Sequence, residues 1–207
     1  MKTLKQAKYD LVIENIKNLI LEKGINTLTI TDIAKEIGIG EATIYRYFNT
    51  KVNLAIEIGI KLWEEIYQTL KNQPKQASGY ENIAQFFNYF NFGFSNNRSV
   101  FKFLQQFDNL MLTEKVDKEL LSRYDDVLQQ IKVIYDEYFK MGLDDNTIKV
   151  LDKDAFYYTT THMLLGICYR AANQSQILKS DELINDSTQI NMAIEICLNY
   201  IDRKSVV

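Results

Sequence analysis

One proline, eight glycines and one histidine stand in a chain of 207 residues, where average usage would supply roughly ten prolines and about fourteen glycines. Proline removes a backbone donor and glycine opens left-handed conformations. Their scarcity therefore excludes sandwiches, barrels and doubly wound sheets with many tight connections, and leaves long helices joined by few loops. A basic excess is missing too, since 24 Lys and Arg against 27 Asp and Glu give a formal net charge of −3. The chain as a whole is not a basic nucleic-acid coat, and any nucleic-acid site has to be local. The two cysteines, Cys168 and Cys197, are too far apart for a CxxC motif, and neither a hydrophobic leader nor a membrane-length apolar run occurs. The expectation is a cytoplasmic protein with no membrane partner.

Chemistry is sparse as well. One histidine alone makes neither a metal site nor a triad, Gly38-x-Gly40 lacks the third glycine of a dinucleotide loop, and no nucleophile has a visible base. The chain reads as a non-enzyme without catalytic residues, metal or cofactor. What it does have is 46% apolar residues, enough for a real core at this length.

Apolar spacing at Leu4, Leu11, Ile16, Leu19 and Ile20 predicts a first helix from Thr3 to Lys23, closed by Gly24. Thr29 with Asp32 forms a start like a capping box, and Ile33, Ala34 and Ile37 carry a second helix of about two turns to Gly38. A third short helix begins at Glu41, with Ile44 and Phe48 one turn apart. Thr50 can cap a fourth whose Leu54, Ile58 and Leu62 form a stripe ending before Pro74. Further helices are expected over 80–94, 99–110, 113–140, 153–172 and 187–203. The i,i+4 pairs Glu114–Lys118, Lys115–Glu119 and Glu119–Arg123 mark a solvated face of the long one.

Two short helices around a Gly-containing turn, braced by longer helices, suit a helix-turn-helix, because the major groove, about 12 Å wide, admits one helix. The third helix turns Glu41, Ala42, Thr43, Tyr45, Arg46 and Tyr47 away from Ile44 and Phe48. Arg46 could grip a guanine edge, Glu41 accept from cytosine and Ala42 meet a thymine methyl. Thr43, Tyr45, Lys51 and the helix starts at Thr29 and Thr50 could supply hydroxyls, an ammonium and backbone N–H groups to phosphates. Core packing of Tyr45 and Tyr47 is the alternative.

The string Gly24, Thr29, Ile33-Ala34, Gly38-Ile39, Ala42-Thr43-Ile44-Tyr45-Arg46-Tyr47-Phe48, Thr50-Lys51 and Leu54 resembles the DNA-binding domain of the TetR family of bacterial transcriptional regulators. The resemblance covers about a quarter of the chain. It implies that Thr43, Tyr45 and Lys51 contact phosphates and that Thr31, Glu41, Ala42, Arg46 and Tyr47 approach bases. Two positions depart from the family pattern: Gly40 stands where a Ser-like cap is usual, and Val52 where Glu is usual. The implied architecture is all-α. A helix-turn-helix DNA-binding domain over 1–50, connected by a helix over 51–71, precedes a larger ligand-binding and dimerisation domain over 72–207.

In that second part Phe86, Phe87, Tyr89, Phe90, Phe92 and Phe94 crowd one helix, and Phe101, Phe103 and Phe107 follow. Rings on every face of one helix cannot all meet one core stripe, so an aromatic-walled cavity is expected, with an ordinary bulky core as the alternative. Candidate ligand-binding residues are Phe87, Phe90, Phe103, Phe107, Met111, Tyr124, Tyr135, Tyr158 and His162, though His162 reads first as a satisfied core imidazole. Ile190, Ile194, Cys197 and Ile201 make a seam for helix pairing, and with Met163, Ile167 and Ala171 they resemble the family's dimer bundle. The function expected is a homodimeric regulator, most simply a repressor, that binds a double-stranded DNA operator and is released by a small apolar or aromatic effector. A helical small-molecule-binding protein without operator specificity is the rival.

Overall fold

Thr3 opens the first helix by accepting the Gln6 N–H on its hydroxyl at 3.2 Å. The computed structural model describes residues 3–174, 179 and 183–204. Its elements are α1 (Leu4–Lys23), a short 3-10 turn (Ile25–Thr27), α2 (Ile30–Ile37), α3 (Glu41–Phe48), α4 (Lys51–Asn72), α5 (Gly79–Asn96), α6 (Arg98–Thr113), α7 (Lys118–Asp144), α8 (Lys153–Gln174) and α9 (Asp186–Ile201). The all-α expectation holds: among the described residues the only β pairing is an isolated bridge between Ile148 and Asp202.

The chain divides into two compact units, Met1–Glu65 with Lys102–Leu128, and Ile66–Phe101 with Gln129–Val207. Chain order alone does not reveal this division, since residues 102–128 lie beyond the border expected at residue 72.

In the first unit α1 buries Ile13, Ile16, Leu19 and Ile20, while Leu4 and Leu11 stay exposed, contrary to the expected stripe. The reason is angular: at about 100° per residue Leu11 sits roughly 140° round the helix from Ile16. The buried Lys17 ammonium on the packed side is paired, 2.9 Å from Glu14 and 2.5 Å from Glu65, as a desolvated charge must be. Gly24 ends α1 at φ +86° with its N–H on the Ile20 carbonyl.

The capping box of α2 forms as read. Asp32 N–H donates to the Thr29 hydroxyl at 3.1 Å, and Thr29 N–H donates to the Asp32 carboxylate at 2.9 Å. These bonds hold the Asp32 carboxyl below the usual carboxylate range. Gly38 closes α2 in the left-handed region. The Leu54, Ile58 and Leu62 stripe of α4 is buried, and Thr50 caps that helix through Asn53 N–H at 3.1 Å.

One expected helix breaks. Residues 114–117 separate α6 from α7, so the Glu114–Lys118 and Lys115–Glu119 pairs do not lie along one helix. Asp117 starts α7 instead, its Oδ1 accepting the N–H groups of Glu119 and Leu120 at 3.0 and 3.1 Å. A carboxylate at that position favours the positive end of a helix.

In the second unit α5 packs against α8 and α9. Ser78 and Glu81 form a second capping box, and the α5 start is also held by Asp145 and Thr147, which accept the N–H groups of Gly79 and Tyr80 at 2.7 and 3.1 Å. The buried Asn82 uses both ends of its amide. Its oxygen accepts the Gln76 N–H at 3.0 Å, and its nitrogen donates to the carbonyls of Ser78 at 2.7 Å and Gln76 at 3.3 Å.

Candidate nucleic-acid interface

The reader is built from α2, the turn at Gly38-Ile39-Gly40 and α3. Only Ile44 and Phe48 of α3 are buried, and they anchor the helix from one side. Glu41, Ala42, Tyr45 and Arg46 are exposed, with Thr43 and Tyr47 half-buried beside them. Thr31 on α2 is exposed as well, and Lys51 at the start of α4 is half-buried. Tyr45, half of whose surface is open, stands outside the core that was its alternative. Tyr47 divides itself between the two expectations: its ring meets Tyr9 edge-on at 5.4 Å, yet it also lies under the Arg46 guanidinium at 5.4 Å.

Two of the expected phosphate donors are already engaged. The Thr29 hydroxyl donates to Asp32 at 2.6 Å and its N–H is also on that carboxylate. Thr50 gives its N–H to the Phe48 carbonyl at 2.7 Å while its hydroxyl accepts from Asn53. Their work here is capping. Lys51 makes no ion pair among the described residues, and partial desolvation lowers its pKa, which leaves an ammonium already partly stripped of water. Gly40, in place of a Ser-like residue, gives α3 no side-chain cap. Val52, in place of Glu, is buried in the core instead.

Sequence reasoning missed Glu57, Arg123 and Tyr9. The Arg123 guanidinium, expected on a solvated face opposite Glu119, grips Glu57 of α4 at 2.8 and 3.3 Å. Burial, and after it the charge of the same carboxylate, raises the pKa of Tyr9. No spacing links these three positions, so nothing short of a fold could have found them. An open cleft of about 280 Å³ lined by Tyr47, Phe48, Asn49, Asn53, Glu57, Asp117, Glu119, Leu120 and Arg123 lies beside them.

The candidate ligand residues fall into two groups. Phe103, Phe107, Met111 and Tyr124 belong to the first unit. There Phe107 lies 5.9 Å from Phe103 and 5.2 Å from Tyr124, and the Trp63 indole N–H donates to the Tyr124 hydroxyl at 2.7 Å. Phe87, Phe90, Tyr135, Tyr158 and His162 belong to the second. Phe86, Phe87, Phe139 and Tyr157 surround the fully buried Tyr135 at centroid distances of 4.9 to 6.2 Å. Among the described residues the buried Tyr135 hydroxyl finds no hydrogen-bond partner. Phe90 is half-buried. His162 is exposed beside Tyr158, 5.9 Å away, which overturns its reading as a core imidazole.

The pairing seam also changes. Ile190, Ile194, Cys197 and Ile201 are buried inside the protomer, while Met192, Ile196 and Tyr200 form an exposed apolar line along α9. The two lines share one helix, and periodicity alone does not say which faces inward.

Residues 12–58 match the model of the bacterial regulatory proteins of the tetR family. Over 88 residues the chain is 30% identical to the nucleoid occlusion factor SlmA of Pasteurella multocida strain Pm70, an alignment covering 41% of this chain and 44% of that protein. The chain thus spans less than half the length of the curated relatives it matches. Across nearly the whole chain the fold resembles that of the transcriptional regulator FadR from Bacillus subtilis, crystallised with stearoyl-CoA, at TM-score 0.64 and 17% identity, covering 96% of this chain and 100% of that one. It also resembles a putative transcriptional regulator from Saccharomonospora viridis in complex with choline, at TM-score 0.64 and 18% identity, covering 89% and 93%. No described helix is long and apolar enough to cross a membrane. Residues 12–58 therefore carry a segment like that of the bacterial regulatory proteins of the tetR family, within a fold that resembles those of solved transcriptional regulators over nearly the whole chain.

Proposed function

We propose that this protein is a ligand-responsive, DNA-binding transcriptional regulator, a homodimeric repressor that leaves its operator when a small apolar or aromatic effector binds. The carrying observation is α3. An eight-residue helix buries two side chains and leaves Glu41, Ala42, Tyr45 and Arg46 open, a use of surface that stability does not require and base readout does. Thr31 and Tyr47 complete the set that faces bases, and Thr43, Tyr45 and Lys51 the set that faces phosphates.

Dimerisation supports this reading through the exposed line Met192, Ile196 and Tyr200, an apolar face suited to a second copy. Two readers on a two-fold axis contact two half-sites. Effector binding is supported by the stearoyl-CoA and choline held by two structural relatives and by the orphaned Tyr135 hydroxyl amid rings. An unpaired buried hydroxyl costs about 1–3 kcal/mol that a ligand's polar atom could recover. Release then requires that the effector favour the conformation whose readers misfit the operator.

The test is a titration with a duplex carrying the promoter beside the protein's own gene. Lys51→Ala should weaken binding to all sequences and reduce the salt slope by about one, whereas Arg46→Ala should relax discrimination at one base pair by about 1–3 kcal/mol. An unchanged salt slope in Lys51→Ala would overturn the phosphate assignment. Native mass spectrometry of protein taken from cells would report a retained effector.

A further inference from the structure

Tyr9 of α1 is none of the expected recognition residues, yet its ring touches the reader. Its ring stands edge-on to Tyr47 at 5.4 Å and tilted against Phe48 at 5.6 Å. Tyr47 carries the Arg46 guanidinium over its face at 5.4 Å. On the other side lies Glu57, whose charge acts on the Tyr9 phenol and whose two oxygens receive N–H groups of Arg123, at 2.8 and 3.3 Å. A bidentate guanidinium fixes a carboxylate in plane as well as in place. Burial together with the Glu57 charge raises the Tyr9 pKa, so the phenol keeps its proton.

We infer that Tyr9 is a positioning residue for Arg46: packed edge-on, it braces the Tyr47 ring on which the guanidinium rests. This inference rests on the proposed reading of Arg46 as a base contact. The physical reason is entropic. A free arginine side chain gives up rotamer freedom when fixed on a base edge, and a ring held beneath it removes part of that cost beforehand. Phosphate contacts by Thr43, Tyr45 and Lys51 gain nothing from the same brace. Tyr9 therefore acts on discrimination between sequences and leaves the electrostatic part of affinity alone.

A merely structural tyrosine would behave otherwise, lowering cognate and random binding together. The experiment uses the full chain and two variants. Tyr9→Phe keeps the ring and loses only the hydroxyl, and Tyr9→Leu loses the ring as well. Dissociation constants are measured on the promoter duplex and on a scrambled duplex at several salt concentrations, each in wild-type and Arg46→Ala backgrounds. The ratio of cognate to scrambled affinity should hold in Tyr9→Phe and fall about tenfold in Tyr9→Leu, with the salt slope unchanged and no further fall when Arg46 is already alanine. Equal losses on both duplexes, or the same loss without Arg46, would overturn the inference.

A second readout needs no DNA. In the free protein the Arg46 Nε–H resonance should carry the ring-current shift of Tyr47 and move toward that of an exposed arginine in Tyr9→Leu. An unmoved resonance overturns the brace whatever the DNA result. A wild-type chain with no preference for its promoter sinks the regulator reading instead, and the resonance still decides the role of Tyr9.

Discussion

Gly79 at the start of α5 and Gly142 near the end of α7 approach so closely that a Cβ on Gly79 would overlap the Gly142 amide nitrogen and Cα. Neither obstacle is a flexible side-chain tip, so the clash can be relieved only by moving a helix. Gly79→Ala is expected to destabilise the protein by about 3 kcal/mol or more, read as a lower midpoint in urea. Gly38→Ala meets nothing within 4 Å, and its smaller penalty comes from the left-handed backbone at φ +72° alone.

The α2 capping box gives a pH signature. Hydrogen bonds from Thr29 depress the folded-state pKa of Asp32, so its contribution is fully present above the ordinary aspartate value and is lost as pH falls through the depressed one. Asp32→Ala should melt below the wild type at neutral pH. The two melting temperatures should converge as the solution is acidified past the aspartate range. A gap that persists there would show that the carboxylate charge is not what the cap uses.

Trp63 is the only tryptophan, and its indole N–H donates to the Tyr124 hydroxyl at 2.7 Å. Tyr124→Phe keeps the ring that packs on Phe107 and leaves that donor without its acceptor. The expected cost is about 1–2 kcal/mol, measured by chemical unfolding followed through the fluorescence of Trp63 itself.

The exposed line on α9 predicts a single-residue switch of assembly. Ile196→Glu places a charge at the middle of Met192, Ile196 and Tyr200, where a second copy would have to desolvate it. The variant should sediment as a monomer while its helix content and melting behaviour remain those of the wild-type protomer, since Ile196 contributes little to the buried core. A dimer that survives would move the pairing face elsewhere.

Much of this was legible in the residues themselves. Gly24, Gly38, Thr29 with Asp32, and Thr50 punctuate the first four helices where local backbone chemistry demands, because caps and breaks are decided within one turn of chain. The exposure of Arg46 followed from Ile44 and Phe48 by the same short-range geometry. Illegible were properties that depend on what lies opposite. Leu4 and Leu11 look like core until α1 is rotated, and Arg123 looks solvated until Glu57 is brought to it. Ile190 and Ile196 are chemically identical yet face opposite ways.

The Asn82 amide, with its oxygen on the Gln76 N–H and its nitrogen on the carbonyls of Gln76 and Ser78, has a mechanical meaning. It ties the segment after Pro74 to the first turn of α5, beside the chain's only proline, whose ring already fixes one torsion. The segment that leaves α4 is thereby fastened to α5 through both the N–H and the carbonyl of Gln76, so the two helices are joined by more than the covalent chain.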